Sequence, residues 1–366
     1  MTITPFKLAR LDAYPLRIPF GDFVVGPRAT PRGWRDFEIV LVRLETTEGV
    51  VGWGECFAYS CQRAALAAVE DMVFPLLAGR EIADIAAVNQ ELQFRLHIFG
   101  RYGITMFAIS AVDIALWDIA AQRAGKPLAD FLGEVKRRTI PAYASLVRYA
   151  EPALTAAIAS RAAAENYRHI KLHEIAFEPI AAARQAIGPS IGLMTDVNCS
   201  WSLSEAEAML QRLQPLAMHW VEEPIFPPED YGTLATLARF GIPLSAGENA
   251  CTSVEFARLC DSLTYPQPSV IKLGGISEFL KVIALAAARG QAIMPHSPYF
   301  GPGYWATLHL SALLGEASLF EFMYCAPDAW LDPAVPLPEG GSIPLPRRPG
   351  LGFTPDEQVL RKFALR

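Results

Sequence analysis

The sequence predicts an α/β protein: a (β/α)8-type barrel over residues 131–330, an N-terminal α+β capping domain over 1–130, and a tail, 331–366, packing back on the cap. Three observations predict it. From Arg138 onward, short strand-like runs alternate with Ala/Leu-rich helical stretches, a texture that closes as a parallel barrel. Ahead of that repeat lie a hairpin pattern and then helices, the layout of a separate α+β module. After about Ala326, Pro and Gly dominate and the chain becomes loop-like.

The elements follow in order. "DFEIVLVRLETTEGVVGWGECFA" alternates apolar and polar residues across a Glu-Gly turn, which reads as two paired strands. "QRAALAAVEDMVFPLLAG" and "MFAISAVDIALWDIAAQRAGKPLADFLG" have the helical period, the second closing near Gly125 and Pro127. The barrel strands are then "TIPAYASL", "HIKLHE", "GLMTDVN", "MHWVEEP", "IPLSAGE", "PSVIKLGG", "QAIMPHS" and "LFEFM". Helical stretches such as "SEAEAMLQRLQPL" and "SEFLKVIALAAARG" fill most of the gaps.

Bulk properties bound the function. The 366 residues are 52% hydrophobic and 19% charged, enough to bury a large core. A net charge of −6 gives no electrostatic case for nucleic acid or an anionic membrane. The N-terminus lacks a signal layout and no uninterrupted apolar run reaches spanning length. Six scattered cysteines without Cys-x-x-Cys spacing read as free thiols of a cytoplasmic protein.

The stretch "HWVEEPIF" ends an apolar strand in two adjacent acids, Glu222 and Glu223. In such barrels the C-terminal strand ends form the active-site face. Asp196, Glu222 and Glu248 follow one another at intervals of 26 residues, one βα unit each, which sets three carboxylates at matching heights on adjacent strands. Crowded carboxylates repel unless a cation joins them, and three oxygen ligands with room for water suit Mg²⁺. Any one acid alone reads as a helix cap or a solvated charge; three in register do not. Because successive strand residues face opposite ways, only one of the pair faces inward. Glu222 is the expected ligand, with Glu223 in a supporting ion pair or hydrogen bond.

The register extends. Lys171 and His173 share a strand face, Lys171 lying 25 residues before Asp196, and His296 and Glu321 are likewise 25 residues apart. A substrate held at the metal thus meets Lys171 and His173 on one side and His296 on the other. The chemistry these groups fit is removal of the weakly acidic proton beside a carboxylate. His97, His169, His219 and His309 fall off the register and read as structural, and Cys199 and Cys251 as small core residues.

"TDVN", "WVEEP", "AGEN", "KLGGISE" and "MPHS", with "GVVGWGEC" in the cap, together resemble the enolase superfamily, mandelate racemase/muconate lactonizing enzyme branch, over nearly the whole chain. The resemblance implies Asp196, Glu222 and Glu248 as Mg²⁺ ligands, and catalytic groups on the second, sixth, seventh and eighth strands. It also implies that capping loops near Phe20–Trp34 and Phe57–Ser60 select the substrate. Phe20, Tyr59, Tyr143 and Asn198 are the further candidates for contact with substrate or ligands. Two departures stand out. The second strand carries Lys171-x-His173 where Lys-x-Lys is usual, and Ser269 stands where racemase-like members have the Asp that orients the seventh-strand His. Lys272 is out of register for catalysis and is expected to support the metal carboxylates.

The expected function is Mg²⁺-dependent dehydration of a hydroxy or sugar acid. His173, assisted by Lys171, removes the α-proton, Glu321 bonds the substrate carboxylate, and His296 protonates the departing hydroxyl. The alternatives are a racemase, epimerase or cycloisomerase on the same scaffold, and a catalytically silent metal-binding barrel. A small-molecule carboxylate and a homo-oligomer are the expected partners. Arg28, Arg32 and Arg35 are candidates for meeting a second carboxylate.

Overall fold

The computed structural model describes residues 3–21 and 34–365. Of the arginines singled out above, Arg28 and Arg32 lie outside the described residues, as does most of the Phe20–Trp34 loop.

The cap is an antiparallel sheet of Phe6–Gly21, Asp36–Thr46 and Val51–Phe57, packed on one long helix, Ile104–Arg123. The predicted hairpin is its second and third strands, joined where Gly49 turns with φ +84°. Gly52 and Gly54 bring the helix directly onto the sheet: a Cβ on Gly54 would lie 1.8 Å from the Ala111 carbonyl oxygen. The helix is long and apolar enough to span a membrane, but 94% of that window is buried inside the fold. The other predicted cap helix is broken into Gln62–Ala67, a π turn at Ala68–Val73 and Phe74–Leu77. Pro75 has no N–H with which to continue the regular ladder.

The second sheet is parallel and curled. Its strands are Thr139–Ser145, His169–Leu172, Gly192–Asp196, Met218–Glu222, Leu244–Ala246 and Tyr265–Pro266, with Phe320–Met323 pairing back onto the first. Helices separate them, so the layout is barrel-like. Tyr143, Met194, Trp220, Met294 and Leu319 fill a compact cluster within it.

Two staves differ from the sequence expectation. The sixth strand is only Tyr265–Pro266, and the residues of "SVIKLGG" form a turn leading to the Gly275–Ala287 helix. Pro266 and Pro268 supply no ladder donors. The seventh run, "QAIMPHS", forms no regular strand; Met294 N bonds Pro266 O at 3.0 Å and His296 N bonds Pro268 O at 3.2 Å. Pro295, between them, has no N–H to add.

The tail touches both units. Ser342–Pro344 pairs antiparallel with the first barrel strand, while the Glu357–Phe363 helix leads to a bridge between Ala364 and Leu16 of the cap.

Cap and barrel are tied by buried carboxyls. Asp113 accepts from Ser277 N (2.9 Å), Ser277 Oγ (2.5 Å) and Asn89 Nδ2 (2.7 Å). Gly274 is gripped at both ends: its N donates to Ser110 Oγ (2.8 Å) and its carbonyl accepts from Asn89 Nδ2 (2.7 Å). Glu55 accepts from Gly303 N at 2.8 Å, at the start of the Pro302–Ser311 helix.

Candidate active site

Asp196 and Glu222 are the last residues of their strands and pair in register. Glu248 lies two residues past its own strand, after Gly247 turns with φ +141°. One carboxylate oxygen from each of the three lies within 4.8 Å of the others. Donors aim these oxygens. Glu222 accepts from Trp220 Nε1 (3.0 Å), Gln267 Nε2 (2.8 Å) and Lys171 Nζ (2.9 Å). Asp196 accepts from the backbone N (2.8 Å) and Nδ2 (3.0 Å) of Asn198, whose φ of +46° folds it back over the acid. Lys272 Nζ lies 3.4 Å from Glu248 Oε1 and 4.9 Å from the centre of the Phe57 ring, which comes from the cap.

Each of the three acids also meets one of the expected catalytic bases. Lys171, wholly buried, lies 2.9 Å from Glu222, 2.8 Å from Glu321 and 3.8 Å from Asp196. His173 Nε2 is 3.4 Å from Asp196 Oδ2, and its Nδ1 bonds the Leu146 carbonyl oxygen at 2.5 Å. A carbonyl only accepts, so Nδ1 carries a proton and Nε2 is the nitrogen that exchanges one. His296 Nε2 is 2.6 Å from Glu248 Oε2. Glu321 accepts from Ser145 Oγ (2.8 Å) and Ser297 N (2.8 Å) as well as from Lys171.

Burial sets the electrostatics and charge partners modify it. Burial pushes the Glu222 carboxyl up to about 7, against the pull of Lys171. Burial also raises Glu223 well above the usual carboxylate range, with Glu248 and Asp196 adding to it. For Glu248 burial is outweighed by His296 and Lys272, and its carboxyl is held well below the usual range. For Asp196 burial is outweighed by His173 and Lys171, and for Glu321 by Lys171 and His296, so both are lowered. Burial opposes charge on Lys171 and His173, but the neighbouring acids prevail and both are raised.

A cavity of about 310 Å³ opens between the two units. His173, His296, Asn198, Glu248 and Arg148 line its barrel side; Trp34, Phe37, Phe57 and Tyr59 line its cap side. Tyr59 is 42% exposed and meets Trp34 edge-on at 5.5 Å.

Several candidates sit elsewhere than expected. Phe20 is buried behind the cap wall against Trp34 and Phe37, not in the cavity lining. Tyr143 packs inside the barrel edge-on to Trp220 (5.5 Å), with Lys171 Nζ 5.7 Å from its ring centre. Lys171 is likewise outside the lining of this cavity, as are Asp196, Glu222 and Glu321, which lie buried beneath it. Glu223 escapes the alternation argument. It lies one residue past its strand at φ +45°, and it is buried beside the acids, accepting from Asn249 Nδ2 at 2.9 Å. Ser269 bonds Tyr299 and not the His296 ring.

Sequence reasoning missed Arg148, Gln267 and Phe37, whereas Trp34, Phe57 and Tyr59 of the aromatic wall lie in the capping loops it named. Arg148 donates from Nε to the His173 carbonyl and from Nη2 to Asn198 Oδ1 at 3.3 Å. A signal for it exists: Arg148, His173, Asn198, Glu223 and Glu248 recur every 25 residues. Gln267 lies between two prolines just past the shortened sixth strand, where no periodicity marks it.

Two family models match the chain. The enolase C-terminal domain-like model covers residues 153–359, and the mandelate racemase/muconate lactonizing enzyme N-terminal domain covers 32–133. The 3,6-anhydro-alpha-L-galactonate cycloisomerase of Streptomyces coelicolor is 31% identical over 97% of this chain and 98% of its own length. The arabinonate dehydratase of Saccharolobus solfataricus is 30% identical over 89% of this chain and 90% of its own. A solved racemase from Streptomyces coelicolor, with bound magnesium, superposes with a TM-score of 0.85 at 30% identity, covering 98% of this chain and all of its own.

Proposed function

This chain belongs to the enolase superfamily, in its mandelate racemase/muconate lactonizing enzyme branch, and from that premise we propose that it removes the proton α to a carboxylate with the aid of Mg²⁺, the net reaction being loss of water from a hydroxy or sugar acid. The donor set fits the ion. Asp196, Glu222 and Glu248 offer three hard oxygens converging from adjacent strands, and Asn198, Gln267 and Lys272 fix their orientation. Bound there, Mg²⁺ would supply positive charge opposite the negative charge that develops on the substrate carboxylate as the proton leaves.

The protein's own groups do the rest. His173 takes the α-proton at Nε2, the nitrogen left open once Nδ1 is committed to Leu146 O. This is the observation that carries the reading: an imidazole oriented through Nδ1, so that Nε2 is the nitrogen that exchanges a proton at the cavity wall beside the acids. Lys171 holds Glu222 and Glu321 in place as their common counter-ion. His296, across the cavity, gives a proton to the leaving hydroxyl. Ring-forming isomerisation is the second reading, favoured by the resemblance to the cycloisomerase of Streptomyces coelicolor over nearly the full length. Both readings make the chain a lyase or isomerase.

The test is a survey of hydroxy and sugar acids in deuterated water with Mg²⁺, followed by mass spectrometry of substrate and product. Mg²⁺-dependent product formation, or deuterium returned to the α-carbon of recovered acid, that is lost on chelation and in His173→Ala supports proton abstraction by His173. Allowing for deuterium taken up from solvent, a product that has lost one water marks a dehydratase, and one that has lost none an isomerase. Exchange that persists in His173→Ala removes His173 as the base.

A further inference from the structure

His296 has a loose end. Its Nε2 meets Glu248 and its backbone N meets Pro268 O, yet the buried ring Nδ1 has no hydrogen-bond partner among the described residues. Pro295 and Pro298 bracket the segment, and neither can donate a backbone bond. No regular ladder holds this part of the barrel.

Tyr299 supplies what the ladder does not. Its hydroxyl donates to the His296 carbonyl at 2.6 Å, a direction fixed because the carbonyl only accepts. The phenol oxygen is then the acceptor for Ser269 Oγ–H, which completes its pairing. The ring of Tyr299 stands at 71° to the imidazole, centroids 5.9 Å apart, so it also limits how His296 turns. Ser269 and Tyr299 are buried, and burial keeps the phenol protonated. The chain Ser269 Oγ–H to Tyr299 Oη–H to His296 C=O therefore ties the end of the sixth stave to the backbone of the seventh.

We propose that Tyr299, anchored by Ser269, is the positioning residue that holds His296 in place across the cavity from His173. The inference rests on the proton-donor role given to His296 above. It predicts that loss of the hydroxyl misplaces the imidazole without changing how the substrate is held.

Tyr299→Phe keeps the ring and removes the bond; Ser269→Ala removes the anchor. On any acid that the enzyme turns over, Tyr299→Phe should lower kcat by about tenfold to a hundredfold with KM within about threefold. The double variant should be no slower than Tyr299→Phe alone, because both act through one chain. Tyr304→Phe is the control: that equally buried hydroxyl bonds Pro336 O at 2.7 Å, away from the lining, and its loss should move only the melting temperature.

A readout without substrate runs in parallel on the Mg²⁺-loaded protein. Ring nitrogen resonances of His296, assigned with His296→Asn, should be single and narrow in the wild type and broadened or doubled in Tyr299→Phe. Unchanged ring signals, or a fall in kcat no larger than that of Tyr304→Phe, overturn the inference. If no acid is dehydrated, isomerised or exchanged, the proton-abstraction reading fails on its own, and the ring signals still decide whether Tyr299 positions His296.

Discussion

Replacing Lys171 with methionine isolates what the buried ammonium does. The two side chains are of similar length, so the substitution removes charge with little change of shape. In the wild type Nζ lies 2.9 Å from Glu222, 2.8 Å from Glu321 and 3.8 Å from Asp196, and the lysine has no solvent exposure. Without it, three buried carboxylates face one another across the barrel. Leaving a buried charge unpaired costs about 3–5 kcal/mol. One escape limits the loss: Glu222 is already pushed to about 7, and it can take up a proton. Without the pull of Lys171 the Glu222 carboxyl rises further, so Lys171→Met should be destabilised by up to about 3–5 kcal/mol at pH 8 and by clearly less at pH 5.5, where the carboxyl neutralises itself. Magnesium should restore more stability to the variant than to the wild type, because the ion meets one competing cation fewer. Urea unfolding followed by circular dichroism, with chelator and with saturating MgCl₂ at both pH values, measures all three effects. A loss below about 1 kcal/mol at pH 8, or a loss that does not depend on pH, would refute the counter-ion role.

Three further outcomes follow from the same structure. Gly54→Ala places a Cβ 1.8 Å from Ala111 O, so the long cap helix must retreat, at about 3 kcal/mol or more; Gly49→Ala, with nothing within 4 Å, should cost only its φ strain, and equal losses in urea unfolding would contradict the packing argument. Burial raises Asp113 from 3.8 to about 7, so its stabilising share is full below the unfolded value and is lost as pH rises through about 7. Asp113→Asn should thus gain about 2–3 kcal/mol relative to the wild type between pH 5 and pH 8. The difference between the two proteins is the measure, because Glu55 titrates in the same direction and His169 and His309, lowered to about 4, titrate in the other. Glu248→Gln keeps the shape of the third oxygen donor and removes its charge; calorimetric titration should find Mg²⁺ affinity reduced by at least about tenfold.

Much of the acidic arc was legible because its spacing is imposed by the repeat. One strand, one helix and two loops take about the same number of residues in successive units, so residues at strand ends recur at a fixed interval. Asp196, Glu222 and Glu248 obey it, and so do Arg148, His173 and Asn198. What periodicity could not carry lies where the backbone leaves regular geometry. Glu223 faces the acids because φ +45° cancels strand alternation, and the seventh stave loses its ladder to Pro295. The cap contacts were also out of reach. Asn89 and Ser110 grip Gly274 across 185 and 164 residues of sequence, and no local pattern links them.

The two sides of the cavity are separable in chemistry though not in mechanics. The barrel side brings His173 and the acids at the ends of staves whose backbones pair with one another, which suits groups that must be placed to within a fraction of an ångström. His296 comes on the stave that lacks a ladder and is tied through Tyr299. The cap side offers Trp34, Phe37 and Tyr59, aromatic surfaces that, under the proposed function, would sort substrates by shape. Yet the turn that carries Lys272 is gripped by cap residues at Gly274 and Ser277, and the Phe57 ring lies beside the same ammonium that meets Glu248. A change in the cap's seating therefore reaches the acidic arc through Lys272, whereas a change of side chain at Trp34 or Tyr59 does not. Substitutions at those two wall positions should redirect which acid is taken while leaving Mg²⁺ affinity alone; substitutions at Asn89 or Ser110 should do the reverse.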